Sequence, residues 1–119
     1  MCEENPKWRL NNQEKWEQMQ FNIGFLKKME TIYGTLNCEY CGKPNLKIYE
    51  WCEKINNNDV ATADHFYPKS KYNNLKMEEK NMIVSCYSCN NNKKDGVCSV
   101  ETIKHPLNPN KIKEINTII

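Results

Sequence analysis

The chain has 119 residues, 39% of them hydrophobic and 27% charged, with a formal net charge of +2. That length predicts one domain whose core is modest enough for an internal staple to matter, and the composition excludes a disordered chain. No apolar run approaches the roughly 20 residues of a membrane span, so no membrane partner is expected.

The first ten residues, with Pro6, read as a loose lead-in. They lack the basic stretch and apolar core of a secretory signal, so a reducing, intracellular (cytoplasmic) setting is expected. From Asn12 onward, Trp16, Met19, Ile23, Leu26, Ile32 and Tyr33 recur between Glu14, Lys15, Glu17, Lys27, Lys28 and Glu30. This pattern predicts an amphipathic helix to about Tyr33, ended by Gly34 and packed on the core through that stripe. Cys38 to Gly42 forms a first Cys-x-x-Cys knuckle, with Gly42 free to adopt the positive φ such a turn often needs.

Leu46 to Trp51 alternates apolar and polar residues and predicts a half-buried strand. Asn56 to Asp59 reads as a turn. Val60 to Tyr67 follows as a second strand closed by Pro68, and Lys69 to Lys80 is a polar loop with room for a short helical turn. Met82 to Val84 is a short apolar strand leading into a second knuckle, Cys86-Tyr87-Ser88-Cys89. Cys89 to Asp95 opens a helix that stops near Gly96. Ser99 could cap a last short helix, and Pro106 and Pro109 are expected to end regular structure in the tail.

Seven cysteines is an odd count, and a disulfide framework prefers an even one in a secreted context. Each Cys-x-x-Cys instead places two thiolates on one tight turn, and the two turns together complete the tetrahedral thiolate shell of structural zinc. Cys38, Cys41, Cys86 and Cys89 are thus the candidate zinc ligands, and Cys2, Cys52 and Cys98 are left as free thiols. Four thiolates remove four charges and the ion returns two, so the charge falls to zero with metal bound. Global charge therefore does not predict a nucleic-acid partner. Near the motif, Lys69, Lys71, Lys76, Lys80, Lys93 and Lys94 modestly outnumber Asp64, Glu78, Glu79 and Asp95, an excess that also fits a solvated face. Arg9 is the only arginine, which disfavours bidentate reading of guanine.

Between the knuckles stands Asp64-His65-Phe66-Tyr67-Pro68; Asn81 precedes Cys86 by five residues, and Cys89 runs into Asn90-Asn91-Asn92-Lys93. This order resembles the zinc-containing, four-cysteine branch of the HNH endonuclease family over residues 38 to 94. The resemblance implies an α+β fold built on a ββα-metal (His-Me finger) unit. The chain would be one domain: an N-terminal lead-in and helix over 1–36, the nuclease core over 37–95, and a helical or loop extension over 96–119.

By the same resemblance the chain would hydrolyse DNA phosphodiester bonds with one divalent cation. His65 would be the general base, suited by an imidazole that titrates near pH ~6.5. Asp64 and Asn90 would be the cation's ligands, hard oxygens that suit magnesium or manganese. Asn81 would hold the His65 imidazole, and Lys93 would contact phosphate. The chain departs from the name-giving motif at Asn90, where histidine would stand; an amide oxygen there disfavours zinc as the catalytic ion. Adjacent strand residues point to opposite faces, so Asp64 and His65 require a strand end or a bulge before Pro68.

Two other functions compete: a non-catalytic zinc-knuckle module that binds nucleic acid, and a structural zinc domain that binds protein through its first helix. Neither needs Asp64, His65 and Asn90 together. Singly, Asn81 reads as a turn residue and Lys93 as a solvated lysine, while Lys94 divides between phosphate contact and none. His105 reads as structural or exposed; Trp8, Trp16 and Trp51 as core or knuckle packing; Tyr40 and Tyr87 as packing on the zinc site. Double-strand cleavage from one site would need a homodimer or successive nicks. A chain this short has little room for a separate specificity domain, so nicking or weakly specific cleavage, or a targeting partner protein, is expected; the family resemblance is compatible with an origin in a phage or mobile element.

Overall fold

A computed structural model describes residues 12–48, 59–93 and 99–118. The expectations for Cys2, Trp8, Trp51, Cys52, the turn at Asn56, Lys94, Asp95, Gly96 and Cys98 lie outside the described residues. Helix α1 spans Gln13–Tyr33, and Gly34 ends it in the left-handed region at φ 77°, donating its N–H to the Glu30 carbonyl at 2.8 Å. Its buried face carries Gln18, Phe25, Leu26 and Met29, with Phe21 and Tyr33 half-buried beside them. The expected stripe is therefore rotated: Ile32 is 56% exposed, because the spacing Phe21, Phe25, Met29 sets the face that meets the sheet.

Strands β1 (Lys47–Ile48), β2 (Val60–His65) and β3 (Met82–Cys86) form one sheet in that order, β1 parallel to β2 and β2 antiparallel to β3. Helix α2 (Tyr87–Lys93) leaves β3 without a break, so β2, β3 and α2 make a ββα unit. The architecture is α+β, as expected. Register pairs Ala61 with Cys86, Ala63 with Val84 and His65 with Met82. By the pleat, these six residues share one face, and Ala61, Ala63, Met82, Val84 and Cys86 pack with Phe25, Leu26, Leu36 and Leu46. Ile83 faces the other way into a second cluster with Phe66, Ile103 and Ile115. Every residue of β3 is buried, which is why Met82, Ile83 and Val84 run on as apolar residues rather than alternating with polar ones.

Three boundaries differ from expectation. β2 stops at His65 rather than Tyr67, because the side chain of Asn81 takes both the N–H (2.8 Å) and the carbonyl (3.1 Å) of Tyr67. β3 runs on to Cys86, so α2 begins at Tyr87 rather than Cys89. Pro106 and Pro109 do not end regular structure: helix α3 (Lys111–Asn116) follows them. Pro109 stands just before the N-cap Asn110, where its missing N–H leaves no helical bond unmade, and Lys111 and Ile115, one turn apart, are both buried. Residues Asn73–Leu75, Glu79–Asn81 and Val100–Thr102 are single helical turns, the last preceded by Ser99.

A four-cysteine centre and a candidate nuclease site

Cys38 and Cys41 are joined by a turn that Gly42 closes at φ 81°, its N–H on the Cys38 carbonyl at 2.8 Å. A Cβ there would also stand 2.9 Å from the His105 ring, which would have to shift. His105, exposed yet structural, also donates its N–H to the Glu39 carbonyl. Cys86 ends β3 and Cys89 lies in the first turn of α2. All four Sγ atoms lie within 4.8 Å of one another, and those of Cys41 and Cys86 are 3.8 Å apart. Zinc–sulfur bonds of about 2.3 Å make a tetrahedron whose edge is about 3.8 Å, so the donor set fits structural zinc.

The second cysteine of each pair donates its N–H to the Sγ of the first at 3.4 Å. Burial pushes the Cys38 thiol up, but N–H groups of Cys41, Cys86 and Tyr40 outweigh it and hold the group at about 7. Burial, reinforced by the neighbouring sulfurs, raises the Cys41 and Cys89 thiols. The centre is thus one in which a dication replaces crowded protons. Among the described residues it is the one cluster of three or more His, Cys, Asp or Glu ligands.

Glu39, inside the first knuckle and fully buried, ties three segments together. Its carboxylate accepts N–H bonds from Val84 of β3 (2.7 Å) and Leu107 of the tail (3.0 Å). Lys111 of α3, also buried, donates to the Met82 carbonyl at 2.7 Å. Burial pushes the Glu39 carboxyl up and the Lys111 ammonium down, and each charge opposes the other's shift. Sequence reasoning missed both residues; the spacing of Lys111 and Ile115 was the available signal.

At the opposite end of β3, His65 is the last residue of β2 and is still paired with Met82, so it and Asp64 point to opposite faces of the sheet. Its Nε2 lies 2.9 Å from the Lys76 carbonyl. A carbonyl only accepts, so Nε2 carries the proton and the lone pair of the neutral ring is on Nδ1. Gln18 of α1 donates from Nε2 to the same carbonyl (3.0 Å) and to Asn22 Oδ1 (2.9 Å), and stands 3.5 Å from His65 Nε2. Gln18 is 8% exposed, and its Oε1 is buried with no partner, an arrangement that costs about 1–3 kcal/mol. Gln18 was also missed, although a glutamine on the apolar face of a helix is a visible irregularity.

Asn81 is fully buried. Its side chain accepts from the Tyr67 N–H and donates to the carbonyls of Tyr67 and Leu75 (3.2 Å), and its own carbonyl accepts from Phe66 N–H. It thereby clasps the loop whose next residue, Lys76, meets the imidazole. Asp64 is buried on the other face of β2, with Oδ2 accepting from the Tyr40 hydroxyl at 2.6 Å. Asn90 lies on α2, lining a hollow of about 410 Å³ with Met19, Ile23, Thr62, Ala63 and Tyr87. Tyr87 is 44% exposed at that hollow rather than packed on the zinc site, whereas Tyr40 packs against both core clusters. Lys93 ends α2; its side chain lies outside the described residues.

No curated protein and no solved structure matches the chain. The family described as HNH endonuclease matches residues 38–96, which takes in both knuckles, β2, β3 and α2 and leaves α1 and the tail outside. With that match spanning about half of its length, the chain belongs to the HNH endonuclease family.

Proposed function

We propose that this chain is an endonuclease that hydrolyses DNA phosphodiester bonds with His65 as general base and one magnesium or manganese ion. The observation that carries the reading is the Lys76 carbonyl on His65 Nε2, within the segment the family matches, because it leaves Nδ1 as the basic nitrogen. Nδ1 takes the proton from the attacking water. Asn81 keeps the loop that bears the Lys76 carbonyl in register through Tyr67 and Leu75.

Asp64 and Asn90 would hold the cation. A carboxylate and an amide oxygen are hard donors of the kind magnesium takes, and the Tyr40 hydroxyl on Asp64 is the kind of outer partner that orients a ligating carboxylate. When bound, such an ion neutralises charge growing on the phosphorane and the leaving oxygen. Lys93, at the end of α2, would contact the DNA backbone. Zinc in the four-cysteine centre would hold the frame without entering the reaction.

One domain comprising the lead-in and helix (1–36), core (37–95) and extension (96–119) accords with α1 packing on the sheet and α3 on β3. No helix among the described residues is long and apolar enough to cross a membrane. Cleavage of both strands would take a second copy or a second nick.

Supercoiled plasmid incubated with the zinc-loaded protein tests the reading, with magnesium, with manganese, and with a chelator that leaves zinc in place. Metal-dependent nicking that falls by about 10²–10⁴-fold in His65→Ala is expected. Intact plasmid under every condition would turn the reading toward a nucleic-acid-binding zinc module.

A further inference from the structure

We propose that Gln18, on the helix outside the family-matched segment, is a positioning residue for the His65 imidazole. The inference rests on the reading of His65 as the base. Its ground is the geometry around one carbonyl. Lys76 O receives His65 Nε2 at 2.9 Å and Gln18 Nε2 at 3.0 Å, so its two lone pairs are met by two donors from different elements. The remaining Gln18 amide proton goes to Asn22 Oδ1 at 2.9 Å. That amide nitrogen has no lone pair to offer, so at 3.5 Å from His65 Nε2 it does not compete with Lys76 O for the imidazole proton.

The orientation of the Gln18 amide follows from its partners. Turning it over would set Oε1 against the Lys76 carbonyl, which can only accept. The orientation it adopts instead leaves Oε1 buried and unpaired. A purely structural glutamine gains nothing from that arrangement; one that must donate twice has no alternative. Lys76 is tethered to α1 a second time, through Nζ on Glu14 Oε1 at 2.7 Å, and Glu14, Gln18 and Asn22 lie one turn apart on one helix face. Asn81 fixes the Leu75 carbonyl from the core, and Gln18 fixes the Lys76 carbonyl from α1. Helix α1 is by this account part of the catalytic centre.

The test is nitrogen-15 NMR of the histidine side chains in the zinc-loaded full chain, paired with cleavage kinetics. Wild type should show His65 protonated at Nε2, with a nuclear Overhauser contact between the Gln18 side-chain amide and the His65 ring. Protonation at Nδ1, or absence of that contact, overturns the proposal without any variant. In Gln18→Leu and Gln18→Met, which keep apolar bulk and remove both donors, the His65 signals should move toward a mixture of tautomers. kcat should fall about 10- to 100-fold with KM little changed, the scale of an outer-partner loss. Wild-type nitrogen shifts and kcat in a folded variant overturn it. Cleavage that survives His65→Ala would instead overturn the base assignment, whereas His65-dependent cleavage indifferent to Gln18 overturns only this inference.

Discussion

The five residues of β3 connect two corners that are held by different means. At Cys86, four thiols within 4.8 Å of one another and the buried carboxylate of Glu39 hold the chain together through charge. At Met82, paired with His65, the loop from Phe66 to Asn81 is held by side-chain amides on backbone groups, with Asn81 and Gln18 as the clasps. Charge taken out of water is all-or-none, because removing one partner leaves the other unpaid for. Neutral hydrogen bonds contribute about 1 kcal/mol each and fail one at a time. Under the proposed function, the contrast would put stability chiefly at the first corner and chemistry at the second.

The strongest attempt to break that assignment is at the cysteines. Cys86→Ser, or removal of zinc by a strong chelator, should abolish cooperative folding, since structural zinc supplies on the order of 10 kcal/mol or more in domains that depend on it. Metal content and a thermal melt followed by circular dichroism check this. A variant that loses its zinc and keeps its melting curve would place stability elsewhere.

Lys111→Met is the next largest change, removing the cation that faces Glu39 and donates to Met82. A loss of about 3–5 kcal/mol is expected in denaturant unfolding, the scale of a buried charge left unpaired. Its pH dependence has a definite sign. Burial holds the Glu39 carboxyl above its ordinary value, so the group's contribution is full at low pH and is lost as pH rises through that raised value. Without Lys111 the value climbs further and the loss grows. The gap between variant and wild type should be widest near neutrality and narrow on mild acidification, and a constant gap would separate Lys111 from Glu39.

Asn81→Ala moves to the second corner. It takes the partner from the Tyr67 N–H, the Tyr67 carbonyl and the Leu75 carbonyl, and about 3 kcal/mol of stability should go at about 1 kcal/mol per lost bond. Turnover should fall further than the melt alone explains, because the Lys76 carbonyl loses its neighbour's anchor. Equal losses in both readouts would make Asn81 a folding residue only.

The two corners also differ in how far they could be read from sequence. The four cysteines, Gly34, Gly42 and helix α1 were legible from spacing and pattern, and the ββα unit from the family resemblance. Helix α3 was not, because two prolines masked a stripe of only Lys111 and Ile115. The rotation of the α1 stripe hid for a related reason: Ile23 and Ile32 carry as much hydrophobicity as Phe25 and Met29, and only the sheet decides which set is covered. At the candidate site, Asp64, His65, Asn81 and Asn90 stood out as residue types through the family resemblance. Lys76 did not, because it acts through its carbonyl, and a backbone group has no signature in the side-chain alphabet.

Tyr40→Phe has the smallest effect on stability and sharpens the comparison most, because Tyr40 belongs to both regions. It sits between Cys38 and Cys41 in the first knuckle, packs against both core clusters, and bonds Asp64 across the sheet at 2.6 Å. Loss of the hydroxyl should cost about 1–2 kcal/mol of stability and leave zinc in place. If the knuckle serves only the fold, cleavage will change no more than that. If it also aims the Asp64 carboxylate at the cation, metal-dependent cleavage should drop about 10- to 100-fold and recover in part at high magnesium, the pattern of a weakened ligand rather than a lost base. Unchanged cleavage in a folded Tyr40→Phe protein would keep the two corners separate; the drop, with recovery, would make the zinc knuckle the scaffold from which the catalytic ion is held.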